Sequence, residues 1–287
     1  MTPAVLDRRD VAGVFEETAR SLAAAGVSNA RGEAREIVAR AGRFSRAAID
    51  ARGADLWPAE AEAARAALAA QRAAGWPLAY LLGEWDFRDT TLTVTPDVLI
   101  PRPETEELFD RVERALGARP PRRAADIGTG AGGLAIALAR RWPAAQVTAV
   151  DVSVAALAVA RWNARRWGVE DRVDFLRGDL AAGMPPASFD AIVANLPYVA
   201  VGEWAGLSRE VRREPPLALL AGADGLALFR RFAPQAAAAL VPGGRVFLET
   251  GRGQTAAVAG LLAAAGFRDV WMENDFAGVD RFVGGAR

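Results

Sequence analysis

The chain has 287 residues, 52% of them hydrophobic and 24% charged, a composition typical of a soluble globular protein with one large and one smaller domain. Its 35 basic residues, all arginine, balance 35 acidic ones, so no global field attracts nucleic acid or anionic lipid. The absence of cysteine, histidine and lysine excludes disulfides, thiolate zinc sites, Ser-His-Asp triads and Walker A loops. We expect no metal site, and an enzyme that works by positioning, through carboxylates or with a reactive cofactor.

The sequence contains no pattern for export or membrane insertion. Met1–Asp10 mixes charges of both signs and lacks the apolar core of a signal peptide. No segment supplies the roughly 20 uninterrupted apolar residues of a membrane span. We therefore expect a cytoplasmic protein without membrane contact.

The first quarter of the chain is rich in alanine. From Val5 to about Arg72, apolar residues recur at intervals of three and four, which predicts a bundle of small helices. The pattern is interrupted near Gly26, Gly32 and Gly53. We assign residues 1–75 to a helical docking domain without chemistry of its own.

The spacing of the apolar residues changes after Gly75. Thr91–Thr95 alternates with period two and is rich in β-branched residues, which predicts strands. We expect a β-hairpin linker over residues 76–98. The domain that follows should occupy residues 99–287.

Leu99–Glu106 has two prolines that flank an arginine. Prolines on both sides hold Arg102 in extended backbone. Glu104 or Thr105 can then cap a helix that runs to about Leu116. Arg102 and Glu104 are candidates to line the entrance for a substrate; pairing of Arg102 with Glu104 or Glu106 is the alternative.

Short apolar runs alternate with helical patterns in the rest of the chain. The runs predict buried strands at Ala124–Ile127, Val147–Val150, Val173–Leu176, Ala191–Ala194 and Val246–Glu249. Helices are predicted between them, at Leu134–Arg141, Val154–Trp167 and Leu226–Leu240. This alternation predicts an α/β fold with a doubly wound parallel sheet. Val270–Glu273 and Arg281–Val283 can add a terminal hairpin.

A glycine loop, Asp126–Gly133, lies between the first of these strands and its helix. Glycines let the backbone turn tightly and approach a ligand at the helix amino terminus. Asp151 ends the next strand, where a carboxylate can accept hydrogen bonds from both ribose hydroxyls. Strand, loop, helix and acid together predict a site for a nucleoside-bearing cofactor.

The spacing of Gly128, Gly130 and Gly133 also fits a dinucleotide, so spacing alone leaves the cofactor open. An acid at the mouth of the loop, Asp126, disfavours a pyrophosphate and suits the cationic amino group of S-adenosylmethionine. Asp179 can bind the adenine amino group, with a plain turn as its alternative role. The predicted cofactor contacts are Asp126, Gly128, Thr129, Gly130, Ala131, Gly132, Asp151, Asp179, Leu180 and Asn195.

Asn195-Leu196-Pro197-Tyr198 follows the fourth strand and supplies the predicted catalytic and substrate-binding residues. An amide nitrogen is a poor nucleophile, and acceptors bound to its two hydrogens orient it for attack on a methyl group. The Asn195 side-chain oxygen and the Leu196 carbonyl can supply these acceptors, while Tyr198 packs on the planar group. This chemistry needs no histidine, cysteine or lysine, because it works by positioning.

The loop Asp126–Gly133, Asp151 and Asn195–Tyr198 resemble class I methyltransferases that use an Asn-Pro-Pro-Tyr motif. With Pro77–Phe87, Leu99–Glu106 and Glu214-Pro215, the pattern resembles the bacterial HemK/PrmC family over nearly the whole chain. The resemblance implies methylation of the glutamine in the Gly-Gly-Gln loop of peptide chain release factors. Leu196 departs from the family's first proline but keeps the carbonyl and, before Pro197, a bias toward extended backbone.

Three other functions stay open at this stage. A methyltransferase acting on exocyclic amines of nucleic acid would need a basic track, and the arginine pairs at 122–123 and 212–213 are too scattered to form one. A protein that binds the cofactor but lost turnover through Leu196 is the second alternative. A dehydrogenase, which the glycine spacing permits, is the third.

Overall fold

The computed structural model describes residues 9–287, which divide into two compact units. The first unit contains the described residues up to Gly83 together with Arg209–Arg213, and the second contains Glu84–Ser208 and Glu214–Arg287. The start of the predicted helical region and most of Met1–Asp10 lie outside the described residues. Within residues 9–287, every helix is too short or too polar to cross a bilayer.

The first unit is helical, as predicted. Its helices are α1 (Val11–Ala24), α2 (Ala30–Gly42), α3 (Ala48–Ala51), α4 (Glu62–Ala73) and α5 (Leu78–Leu82), with single 3-10 turns at Ala59–Ala61 and Val211–Arg213. Apolar residues spaced by three and four, such as Val11, Val14 and Leu22, are fully buried and form the core face of α1.

Two local predictions for this region are wrong. Gly32 lies in the first turn of α2, where its N–H donates to the Asn29 side chain at 3.3 Å, so the helix begins there and is not interrupted. Residues 78–82 were predicted to belong to a hairpin and form α5, which ends at Gly83 with φ +76°. The hairpin itself is shorter and consists of β1 (Glu84–Phe87) and β2 (Thr90–Thr93).

The second unit is built on a seven-stranded sheet. Its strands are β3 (Arg123–Ile127), β4 (Gln146–Asp151), β5 (Val173–Arg177), β6 (Phe189–Asn195), β7 (Leu240–Glu249), β8 (Arg268–Asn274) and β9 (Asp280–Ala286). Its helices are α6 (Pro103–Leu116), α7 (Gly133–Arg141), α8 (Val154–Arg166), α9 (Ala227–Ala239) and α10 (Thr255–Ala264). Short 3-10 helices lie at Glu170–Arg172, Val201–Gly206 and Pro216–Ala218.

The strand order is β5-β4-β3-β6-β7-β9-β8. The five strands from β5 to β7 are parallel, and β9 pairs antiparallel with both β7 and β8. Residues 191–194 in the centre of β6 are all buried, as expected for a strand covered on both faces. The doubly wound fold and the terminal hairpin predicted from the sequence are confirmed.

Helix α6 begins differently from the prediction. Arg102, in extended backbone, is its N-cap residue, and Pro103 occupies the first helical position. Proline suits that position because its missing N–H would have no partner there. The prediction that Glu104 or Thr105 caps the helix is therefore wrong, and the Thr105 side chain points to partners in the sheet.

Asn163 on α8 joins the hairpin to the glycine loop. Its side chain is fully buried, accepts from the Thr93 N–H at 2.8 Å, and donates to the carbonyls of Thr93 and Ala131, both at 2.9 Å. Both polar atoms of its side-chain amide thus form hydrogen bonds with backbone groups, in β2 and in the glycine loop. This network holds β2 and the loop against α8.

Asn163→Leu, which keeps the volume but removes these bonds, is expected to destabilise the protein by about 3 kcal/mol, because it leaves buried backbone groups unpaired. The midpoint of urea unfolding measures the effect. Asn274→Ala is the matched control, since Asn274 donates to the Gly278 carbonyl in an exposed turn. A midpoint for Asn163→Leu equal to that of the control would show that the network does not stabilise the fold.

Candidate active site

The glycine loop joins β3 to α7 at the carboxyl edge of the sheet. β3 pairs with β4 on one side and with β6 on the other, so the order of the strands reverses at this point. Open α/β sheets bind ligands in the crevice at such a reversal. The loop therefore lies between Asp151, at the end of β4, and Asn195, at the end of β6.

The backbone of the loop requires glycine. Gly128, Gly130 and Gly132 have φ values of +76°, +54° and +87°, a region that other residues rarely adopt. A Cβ at Gly132 would also lie 3.1 Å from the Ala160 Cβ on α8. The N–H groups of Gly128 and Thr129 donate to the Val150 carbonyl at 2.8 and 3.0 Å, which fixes the loop to β4.

The Asp126 carboxylate is hydrogen-bonded to the loop and to the start of α7, and Asp126 also lines the cleft beside the loop. Oδ2 accepts from the Thr129 hydroxyl at 2.7 Å and from the Ala135 N–H at 3.0 Å. Its side chain is 1% exposed, and burial raises the pKa of Asp126 to about 7, although both hydrogen bonds oppose the shift. One oxygen of Asp126 is thus engaged within the loop, and its contact with a cofactor stays a prediction.

The other oxygen of Asp126 is the clearest sign of a ligand. Oδ1 is buried and has no hydrogen-bond partner within residues 9–287. Asp126 is also one of the residues that line a cleft beside the glycine loop. A buried carboxylate oxygen without a donor is costly, and a cationic amino group would compensate it. The buried acceptor oxygen of Asp126 therefore suits the cationic amino group of S-adenosylmethionine better than an anionic pyrophosphate.

Asp151 ends β4 opposite the loop. Its Oδ2 accepts from the Gly130 N–H at 3.0 Å and its Oδ1 from the Ser153 N–H at 2.9 Å. Burial raises the pKa of Asp151, and these backbone donors oppose the shift. Each oxygen keeps a further lone pair, as the prediction of a ribose ligand requires.

Asp179 has a partner within the protein. β5 ends at Arg177, and the Asp179 carboxylate forms an ion pair with Arg231 on α9. Its carbonyl also accepts from the Ala182 N–H at 3.2 Å in a turn. Leu180 is buried, with φ +57°. Adenine binding by Asp179 and Leu180 stays a prediction.

The Asn195–Tyr198 segment leaves the end of β6. Asn195 lines the cleft together with the glycine loop. Leu196 is 1% exposed, and its Cδ2 lies 3.5 Å from the position that a Cβ at Gly128 would take, so its side chain fills the core beneath the loop. Leu196 therefore adds apolar packing where the related motif has proline.

Tyr198 is held through its backbone. Gln254 donates from Nε2 to the Tyr198 carbonyl at 2.9 Å and accepts from the Gly251 N–H at 2.9 Å. A Cβ at Gly225 would lie 2.3 Å from the same carbonyl oxygen, so only glycine fits there. Burial raises the pKa of Tyr198 to about 12, which keeps the phenol neutral.

The cleft contains residues that the sequence did not predict. Besides residues of the loop Asp126–Gly133, Asn195 and Arg102, it is lined by Phe87, Leu99, Pro101, Thr105 and Leu134. Phe87 and Leu99 belong to segments noted in the resemblance, so their position along the chain was the available clue. Phe87 packs against Gly133, where an added Cβ would lie 3.1 Å from its ring, and this contact depends on how the hairpin packs, which periodicity does not reveal.

Arg102 does not pair with Glu104 or Glu106. Its guanidinium forms an ion pair with Glu214, which is 2% exposed and also accepts from the Ile100 N–H at 3.0 Å. Glu214 thus fixes the segment around Arg102 from a distant part of the chain. Arg102 lines the cleft, whereas Glu104 is not among the lining residues.

Two family models match the chain. One described as a methyltransferase domain matches residues 124–214, and one described as the PrmC N-terminal domain matches residues 14–83. The catalytic domain of hMettl16, solved with an RNA hairpin, superposes with a TM-score of 0.57 at 17% identity, over 76% of this chain and 81% of that one. At that identity, the likeness shows the fold alone.

Curated relatives are similar over almost the full length. The chain is 43% identical to the release factor glutamine methyltransferase of Moorella thermoacetica, over 92% of this chain and 94% of the relative. It is 44% identical to that of Cereibacter sphaeroides, over 91% and 93%.

Proposed function

Because the chain belongs to the release factor glutamine methyltransferases, we propose that it methylates the glutamine side-chain nitrogen in the Gly-Gly-Gln motif of peptide chain release factors. S-adenosylmethionine is the proposed methyl donor. The observation that carries the proposal is one cleft that joins Asn195, the glycine loop and the unpaired oxygen of Asp126. Docking of the substrate by residues 1–75 and the cytoplasmic location stay predictions.

Different residues of the site would bind the cofactor and the substrate. The proposed donor, when bound, supplies an electron-poor methyl group on a sulfonium. Asp126 Oδ1 would bind its amino group, and Asp151 would bind its ribose hydroxyls. The backbone of the glycine loop would pack closely against the cofactor between them. No residue has to remove a proton before transfer, because the proton can leave to solvent afterwards.

Asn195 and Leu196 orient the target nitrogen. The Asn195 side-chain oxygen and the Leu196 carbonyl accept the two hydrogens of the glutamine amide, and this fixes the plane of the nucleophile. As the nitrogen becomes positive, both oxygens stabilise it, because they are already oriented toward it before the charge develops. The ring of Tyr198, which stays neutral, packs on the planar amide.

The test is transfer of labelled methyl from S-adenosylmethionine to a purified, unmethylated release factor. We expect label on the factor and none after Gln→Ala in its Gly-Gly-Gln motif. DNA and RNA serve as parallel acceptors. Label on nucleic acid instead would identify an amine methyltransferase. Cofactor binding without any transfer would support the alternative of a protein that lost turnover through Leu196.

A further inference from the structure

A three-residue hydrogen-bond chain links Asn195 to the interior of the protein. Asn195 Nδ2 donates to the Thr105 hydroxyl oxygen at 2.9 Å, and that hydroxyl donates to Glu249 Oε2 at 2.7 Å. Thr105 is 7% exposed and Glu249 1% exposed. These hydrogen bonds connect the first turn of α6 to the carboxyl ends of β6 and β7.

The sheet register places the two ends of this chain side by side. Asn195 is paired with Glu249 in the parallel ladder between β6 and β7, and both are the last residues of their strands. Thr105 bridges them from α6. Three separate elements therefore fix one side chain of the cleft, and none of these contacts is local in sequence.

These hydrogen bonds determine which end of the Asn195 side-chain amide faces the cleft. A carboxamide has a donor end and an acceptor end of nearly equal shape, so packing alone does not orient it. A hydroxyl has a single hydrogen, and Thr105 gives it to a carboxylate that can only accept when ionised. Burial raises the pKa of Glu249 to about 7, so at higher pH Thr105 can only accept from Asn195, which must present Nδ2 to it. No donor within residues 9–287 contacts Oδ1 at the opposite end.

We propose that Thr105 and Glu249 are positioning residues that keep Asn195 Oδ1 turned toward the target nitrogen. The identity of that target rests on the proposed function, but the orientation of Asn195 does not. An amide turned the other way would present hydrogens to the hydrogens of the substrate amide. Asn195 would then repel the nucleophile that it is meant to align.

The first test reads the orientation without turnover. In a ¹⁵N NMR spectrum of the full chain, the Asn195 side-chain amide is assigned by its loss in Asn195→Ala. We expect its protons to exchange more slowly than those of Asn274, to exchange faster in Thr105→Val, and to be slow again in Thr105→Ser. Unchanged exchange in a folded Thr105→Val would overturn the proposal, whatever the substrate.

The second test uses steady-state methylation of the release factor, with the concentration of each substrate varied in turn. Thr105→Val should lower kcat about ten- to a hundredfold, the loss typical of a supporting hydrogen bond, with KM for both substrates within a few fold. Thr105→Ser should recover most of the rate. In the Asn195→Ala background, Thr105→Val should have no further effect, because it acts through Asn195.

Additive losses in that double variant would contradict the proposal, as would equal losses for Thr105→Ser and Thr105→Val. Glu249→Gln gives an independent variant, since a glutamine can either accept from or donate to Thr105. Its kcat should fall between wild type and Thr105→Val, and a value equal to wild type counts against a role for Glu249. If wild-type protein labels no release factor, the proposed function fails while the NMR result still decides the orientation.

Discussion

Asn195→Ala is expected to lower kcat about a hundredfold to a thousandfold, the loss seen when one preorganised hydrogen-bonding group is removed from a site where charge develops. Asn195 lines the cleft beside the glycine loop, and its side-chain oxygen is one of two proposed acceptors for the target amide. The loss should appear in kcat and kcat/KM alike, because the interaction strengthens as the nitrogen becomes positive. Steady-state rates of methyl transfer to the release factor measure it.

Two comparisons separate chemistry from folding in this experiment. The thermal unfolding midpoint of Asn195→Ala should stay near that of wild type, and Asn274→Ala, altered in an exposed turn, should keep full activity. The affinity for S-adenosylmethionine should change only a few fold. A folded Asn195→Ala variant with wild-type turnover would refute the proposed role of the Asn-Leu-Pro-Tyr segment.

The sequence predicts the sheet well because its strands are short apolar runs that end in polar residues. Asp151 and Asn195 follow such runs, and parallel strands bring their carboxyl ends to one edge. The orientation of a side chain at that edge is a different matter. Asp126 belongs to the strand that precedes the loop, and its carboxylate turns inward to bind Thr129 and Ala135.

Contacts between distant parts of the chain account for most of what was missed. The sequence predicts Thr105 only as a possible helix cap, whereas its partners in the structure are 90 and 144 residues away. Glu214 contributes only to the family resemblance in the sequence, although it binds Arg102 from 112 residues away. The sequence holds one clue to the contact with Thr105, because Glu249, like Asp151, is an acid at the end of a buried strand.

Cofactor affinity is expected to rise with pH, because the buried Asp126 must ionise to bind a cationic amino group. Burial raises the pKa of Asp126 to about 7, so most molecules are protonated at pH 5.5 and half are ionised at pH 7. An α-amino group, with a pKa of about 8, keeps its charge over this range. The dissociation constant should therefore fall about tenfold between pH 5.5 and pH 7.

The stability of the free protein should move in the opposite direction. Between the unfolded pKa of Asp126, 3.8, and its folded pKa of about 7, the native state holds a proton that the unfolded chain has lost. The free energy of unfolding thus decreases as pH rises through this window, and the decrease is complete above it. Burial also raises the pKa of Glu249 to about 7, so Glu249 contributes with the same sign.

Asp126→Asn separates these effects, because asparagine has nearly the same shape and does not titrate in this range. We expect it to bind S-adenosylmethionine about ten- to a hundredfold more weakly at pH 7, as for the loss of a charge-assisted hydrogen bond, and with little dependence on pH. Calorimetry at several pH values measures both. Asp151→Asn is the matched control, since burial raises that pKa as well. If the pH dependence survives in Asp126→Asn and disappears in Asp151→Asn, the titrating contact lies at the ribose and the assignment of Asp126 Oδ1 to the amino group is wrong.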